Sequence, residues 1–205
     1  MNTSLIADAL ADYGWIVLPQ FLSAHDALEL YQYATELSDT EWQLAGVGRG
    51  EQQTINTKVR SDRIRWLSAE HPAERKYLDA MASLRVGLNR ELFMGLFDYE
   101  AHLAHYQPGT FYKKHLDAFK GRSNRILTTV LYINPTWSQS DGGQLVIYGD
   151  HGQVLQEVLP ALGTLVVFLS DRFVHEVKMG LQDRYSVTGW FRLNASVSGI
   201  IDPPR

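Results

Sequence analysis

The sequence predicts an α+β fold, a double-stranded β-helix (jelly-roll) core flanked by N-terminal helices, and three observations carry that expectation. Helical periodicity is confined to the first half of the 205 residues. From Tyr99 onward, short β-rich runs succeed one another between Gly, Pro, Asp and Ser turns. The composition, 45% hydrophobic, 20% charged and 11% aromatic, is that of a chain that closes a buried core rather than one that stays disordered. Helices first and strands later place the helices outside a closed or double-sheet barrel. The expected organisation is a single domain over 1–205, with helical support and a mobile loop in 1–98 and the jelly-roll core in 99–192.

Each element has a local reason. Leu5, Ile6, Ala9 and Leu10 recur at helical spacing, Gly14 breaks the pattern, and Trp15 to Leu18 reads as a short strand. Ser23 caps a second helix reaching about Leu37, with Ala27, Leu28, Leu30, Tyr31 and Ala34 on one broad face, as suits a helix lying on a sheet. A third helix runs from about Pro72 to Phe93. Its proline sits where a missing amide proton does no harm, and Leu78, Met81, Ala82, Leu88 and Leu92 form its apolar stripe. Between these helices, residues 43–61 are polar and rich in glycine, and predict a flexible loop or hairpin. Its glycines at 46, 48 and 50 lack the lysine-serine ending of a phosphate loop, which favours a hinge in a lid. Eight β-rich runs follow, at 99–106, 111–117, 126–134, 143–148, 153–159, 163–169, 173–178 and 184–192.

A formal charge of -4 and a pI near 6.0 supply no basic field to gather phosphates, so nucleic acid is not an expected partner. With no cysteine, His and carboxylate side chains are the strong metal ligands on offer. The N-terminal segment carries Asp8 and Asp12 and lacks a basic start, and no apolar run approaches membrane-spanning length. The expectation is a cytoplasmic protein with no membrane partner.

His115 and Asp117 stand two apart in a β-rich run, so both side chains enter the same face. His175 lies far along the chain, within reach once a jelly roll folds back on itself. Two imidazoles and one carboxylate occupy one face of an octahedron and leave adjacent positions open, which suits iron(II) chemistry, although zinc tolerates the same ligands. Read blandly, the three are a strand histidine, a turn residue and a core histidine. Arg184, Ser186 and Thr188 alternate along another run and share a face. A buried arginine there needs an anion, either an internal Asp or Glu or the carboxylate of a ligand gripped by two parallel hydrogen bonds, and Tyr132 can add a phenolic donor. His25, His71, His102, His105 and His151 are expected at the surface or in packing.

Several blocks together resemble a known family. YQPGTFYKKHLD, LYINPTW, SDRFVHEV and RYSVTGWF, spread over the second half of the chain, are similar to segments of the prolyl 4-hydroxylase branch of the 2-oxoglutarate and iron(II)-dependent oxygenases. Within that branch they most resemble the prolyl hydroxylases of hypoxia-inducible factor and their bacterial relatives, and VRSDRIRW resembles the end of the loop that folds over substrate there. The resemblance implies iron(II) on His115, Asp117 and His175, with no catalytic side chain beyond the metal centre. It implies 2-oxoglutarate on Arg184 and Tyr132 with Tyr106 and Thr188 lining the same pocket, and ascorbate as a reductant. Tyr112, Arg125 and Trp190 would face the substrate, and Arg60 and Asp62, read as an exposed pair, would brace the mobile loop. The chain departs from the oxygen-sensing pattern in having one residue fewer between Tyr106 and His115 and Ser61 where the loop usually has glycine.

The activity so implied couples dioxygen and 2-oxoglutarate to hydroxylation of a proline in a protein or peptide, with elongation factor Tu the first candidate from similar bacterial enzymes. Two rivals remain at this stage: hydroxylation of a free amino acid or other small metabolite, and a non-catalytic, cupin-like metal-binding barrel.

Overall fold

The computed structural model describes residues 2–46, 59–118, 123–194, 196–197 and 200–201. In chain order these form α1 (Thr3–Asp12), β1 (Trp15–Leu18), α2 (Ala24–Glu36), β2 (Gln43–Leu44), β3 (Arg63–Trp66), α3 (Pro72–Leu92), β4 (Leu96–Tyr106), β5 (Tyr112–His115) and β6 (Arg125–Tyr132). They continue with β7 (Leu145–Tyr148), β8 (Val154–Val158), β9 (Leu165–Leu169), β10 (His175–Val177), β11 (Arg184–Leu193), β12 (Ser196–Val197) and β13 (Ile200–Ile201). Each β-rich run expected after Tyr99 is a strand, β4 to β11, and the three helices lie where their periodicity places them.

The helix ends follow from local chemistry. Ser23 Oγ accepts from Asp26 N at 3.1 Å to start α2, and His71 Nδ1 accepts from Ala73 N at 3.3 Å beside Pro72 to start α3. Gly14 has φ 83°, a left-handed value that glycine adopts without strain, and it turns the chain from α1 into β1. The buried faces are narrower than the apolar stripes suggested. α1 buries Ile6, Ala7 and Leu10 but leaves Leu5 outside, and α3 buries Tyr77, Met81, Leu84 and Leu88 while Ala82 is exposed. A helix lying on a sheet touches it along one line, and each residue off that line is turned about 100° away.

Among the described residues the strands form a large antiparallel sheet in the order β1-β9-β6-β11-β4-β3-β2 and a smaller one in the order β5-β10-β7-β8. Period-two alternation sorts the large sheet's side chains. Ala101 and Leu103 of β4, Leu127 and Leu131 of β6, Leu165 and Val167 of β9, and Val187 and Phe191 of β11 join the core beneath the helices. Their neighbours Ala104, Tyr106, Val130, Tyr132, Val166 and Phe168 face the smaller sheet and build a second core with Leu145, Ile147 and Val177. This is the expected helix-flanked jelly roll, and the space between its sheets is where a site can form.

Residues 47–58 of the expected loop, with the glycines at 48 and 50, lie outside the described residues. Its two feet are hairpin-like: Gln43 and Leu44 pair with Ile64 and Arg63, and Ala45 N donates to Asp62 O at 3.0 Å. Strand β3 was not anticipated, because Arg63 and Arg65 alternate with Ile64 and Trp66 and mask a short apolar face. In the fold both charges are paired, Arg63 with Asp39 and Arg65 with the buried Glu74. No helix among the described residues is long and apolar enough to cross a membrane.

Candidate metal centre

The smaller sheet brings two distant histidines together. Strands β5 and β10 are antiparallel, and their register sets His175 directly opposite His115. Asp117 follows two residues after His115, and one ligand atom from each of the three lies within 4.8 Å of the others. His115 Nε2 is 3.5 Å from Asp117 Oδ1, and His175 Nε2 is 3.7 Å from Asp117 Oδ2. The backbone settles the tautomers, since a carbonyl can only accept. His115 Nδ1 donates to Lys113 O at 2.7 Å and His175 Nδ1 donates to Phe173 O at 3.0 Å, which leaves both Nε2 lone pairs facing Asp117. Burial, with His115 close by, pushes His175 down to about 4, so it is neutral near pH 7. Burial alone would raise the Asp117 carboxyl, but His175, His115 and Arg125 outweigh it and hold the group well below the usual carboxylate range. A neutral His175 and an ionised Asp117, with His115 Nε2 turned toward the same carboxylate, form a set that could hold a divalent cation.

The large sheet supplies the opposite wall. Arg184, Ser186, Thr188 and Trp190 of β11, Thr128 and Val130 of β6 and Tyr106 of β4 open onto the same pocket as His115, Asp117 and His175. Arg184 is 1% exposed, yet its Nε and Nη2 have no hydrogen-bond partner, and Nη1 makes only a long contact of 3.4 Å to Ser186 Oγ. Tyr132 Oη, also buried, has no partner either. Burial lifts the Tyr132 phenol to about 12 against the pull of Arg184, so it remains a protonated donor. The guanidinium carbon lies 4.9 Å from the Tyr106 ring centre and 5.0 Å from that of Tyr132. A buried cation with an adjacent unpartnered phenol, and no carboxylate on either among the described residues, fits one end of a dicarboxylate such as 2-oxoglutarate. A bare metal-binding barrel leaves these donors unexplained.

Of the remaining expected residues, Arg60, Tyr112 and Trp190 line the same pocket, whereas Asp62 and Arg125 do not. Tyr112 stacks on His115 with ring centres 3.5 Å apart, and Arg60 lies 4.7 Å over Tyr112. Arg60 and Asp62, expected as an exposed pair, are instead bidentate at 2.6 and 2.8 Å, with Arg60 half-buried and the Asp62 side chain fully covered. The covering comes from pairing of the loop's end with β5, in which Lys113 N donates to Val59 O at 3.0 Å and Ser61 N to Phe111 O at 3.3 Å. Ser61 Oγ in turn accepts from Phe111 N at 3.2 Å, a contact glycine cannot make. Arg125 stands behind the pocket wall, 3.4 Å over the Trp190 ring and bound to Glu100 at 2.7 and 2.9 Å. Of the other histidines, His102 and His105 are buried, His102 beside Trp66 and Trp190 and His105 against Tyr185.

Thr128, Val130, Leu145 and Val177 line the pocket without having been singled out from the sequence. The signal was there: Thr128 and Val130 precede Tyr132 at period two, and Val177 follows His175 at the same period.

The model of the 2OG-Fe(II) oxygenase superfamily matches residues 101–192. The chain is 26% identical over 204 residues to the hypoxia-inducible factor prolyl hydroxylase of Caenorhabditis elegans, covering 89% of this chain but only 27% of that protein. A crystal structure of a Pseudomonas putida prolyl-4-hydroxylase superposes with a TM-score of 0.86 at 36% identity, covering 94% of this chain and 100% of that one. A prolyl hydroxylase of Trichoplax adhaerens, in complex with a peptide of the hypoxia-inducible factor oxygen degradation domain, superposes with a TM-score of 0.78 at 26% identity over 93% and 88% of the two chains. The chain therefore belongs to the 2-oxoglutarate and iron(II)-dependent oxygenases, is prolyl hydroxylase-like among them, and takes iron(II) and 2-oxoglutarate as its metal and co-substrate.

Proposed function

We propose that this protein hydroxylates a prolyl residue of a protein substrate, consuming dioxygen and 2-oxoglutarate and releasing succinate and carbon dioxide. The observation that carries the reading is the likeness to the Pseudomonas putida prolyl-4-hydroxylase over the full length of that chain. Iron(II), held by His115, Asp117 and His175, supplies the oxidising chemistry. The chain's own residues bind, orient and exclude water. Arg184 and Tyr132 would hold the far carboxylate of 2-oxoglutarate and so orient it in the pocket. Tyr106 and Thr188 close the sides of that pocket, and Leu145 and Val177 keep water from it. Tyr112 and Trp190 form the substrate wall, Arg125 backs it by stacking on Trp190 rather than facing the substrate itself, and the Arg60–Asp62 pair anchors the loop that precedes it.

A peptide is favoured over a free amino acid because the mouth is bordered by β5 and the foot of loop 43–61, a surface along which an extended chain can lie. Elongation factor Tu is the first candidate partner, on the resemblance to bacterial prolyl hydroxylases. The test is mass spectrometry of host proteins, and of purified elongation factor Tu, incubated with the iron-loaded enzyme and 2-oxoglutarate. The expected product is a proline carrying one added oxygen that is absent with Arg184→Ala. Oxygen appearing on free amino acids and on no polypeptide would replace this reading with the small-metabolite one.

A further inference from the structure

Asp117 has two carboxylate oxygens, and both face histidine nitrogens at similar range. What separates them is hydrogen bonding. Oδ2 accepts from Thr128 Oγ at 2.8 Å and from Trp190 Nε1 at 3.0 Å. A carboxylate oxygen offers about two lone-pair directions, so two donors take up Oδ2 and leave Oδ1 as the metal's ligand atom. The Thr128 bond has a fixed direction. An ionised carboxylate cannot donate, so the single Thr128 proton goes to Asp117, and the Ser170 hydroxyl 2.9 Å away must be the donor to Thr128. Both hydroxyls are buried, where each bond in such a chain strengthens the next. The Trp190 ring is held as well, with Arg125 stacked on it and itself paired with Glu100.

We propose that Thr128, oriented by Ser170, is a positioning residue of the metal centre: the relay Ser170 to Thr128 to Asp117 Oδ2 holds Asp117 as a one-oxygen ligand through Oδ1. The proposal rests on the reading of His115, Asp117 and His175 as the metal ligands. Thr128 lies on β6, between β9, which Ser170 directly follows, and β11, which carries Trp190, so the large sheet orients a ligand that stands beside the smaller one.

The test is titration of cobalt(II) into metal-free protein, followed by calorimetry, for the wild type, Thr128→Val, Thr128→Ser, Ser170→Ala and His175→Ala. Thr128→Val keeps the shape and removes the donor, and cobalt(II) affinity should fall about 10- to 100-fold, the usual range for loss of a partner that orients a metal ligand. Thr128→Ser restores the hydroxyl and should bind close to wild type. Ser170→Ala should weaken binding measurably and less than Thr128→Val. Wild-type affinity in Thr128→Val, or an equal loss in Thr128→Ser, overturns the proposal. Should Thr128→Val fail to fold, wild-type affinity in Ser170→Ala overturns it instead. Loss of binding in His175→Ala is required throughout. If His175→Ala binds cobalt(II) as wild type does, it is the ligand assignment that fails.

Discussion

At the scale of the residue, Arg184 is the most exacting side chain in the pocket. A guanidinium buried with two nitrogens unpartnered among the described residues is costly unless an anion meets it, and this is the ground on which Arg184 is proposed as the anchor of the co-substrate. Arg184→Ala should raise the 2-oxoglutarate concentration needed for half-saturation steeply, since a charge-assisted contact contributes about 1.5–3 kcal/mol, with iron binding nearly unchanged. Arg184→Lys should recover little, because an ammonium cannot make two parallel bonds, and Tyr132→Phe should show a milder loss. Calorimetry with 2-oxoglutarate on metal-loaded protein checks all three, and unchanged affinity in Arg184→Ala would sink the assignment. His115→Ala, Asp117→Ala and His175→Ala should each lose iron and turnover, and Asp117→Glu should fail too, because its longer arm carries the carboxylate away from the donors of Thr128 and Trp190. Metal analysis of the purified variants decides this, and a full complement of iron in the alanine variants would contradict it.

At the scale of the element, the foot of loop 43–61 behaves as part of the site's wall rather than as a surface appendage. The Arg60–Asp62 pair is covered, so the worth of an exposed ion pair, about 0–1 kcal/mol, is the wrong guide. Removing one partner of a buried pair costs about 3–5 kcal/mol, since the other charge is left uncompensated. Asp62→Ala should therefore lower the urea midpoint clearly and disturb Tyr112 and His115, which Arg60 and β5 hold. The paired change Arg60→Met with Asp62→Leu should recover much of the stability without the activity. A midpoint unmoved by Asp62→Ala would return the pair to the surface. The strands themselves were legible because alternation survives in them. Strand β3 was not, since arginines occupy one of its faces and their partners Asp39 and Glu74 come from elsewhere in the chain.

At the scale of the whole molecule, two sheets facing each other hide imidazoles that water would otherwise protonate. Burial depresses His102 to about 3 and His175 to about 4. An unfolded histidine takes its proton near pH 6.5, so between that value and the folded one the unfolded state binds more protons, and stability falls as pH falls. For His102 the window runs from about 6.5 down to about 3, and the contribution is present in full above it. In the metal-free protein His175 acts in the same direction over a shorter window. Urea unfolding of metal-free protein should therefore show a steep acid limb below pH 6.5, amounting to as much as about 4–5 kcal/mol from His102 by pH 3. His102→Leu, which cannot charge, should flatten that limb. An identical slope in the variant would show that His102 does not carry it.

What the sequence determined by itself was whatever depends on local repetition and chemical type. The helices, strands β4 to β11, the shared face of His115 and Asp117 and that of Arg184, Ser186 and Thr188 all follow from periods of 3.6 and 2. The tertiary structure alone decided the rest, because those contacts join residues far apart in the chain. The register of β5 with β10 sets His175 opposite His115. The covering of Asp62 turns an ordinary surface pair into a buried one. Thr128 and Trp190, on neighbouring strands of the other sheet, meet a single oxygen of Asp117 only because the two sheets close face to face, and no spacing along the chain encodes that distance.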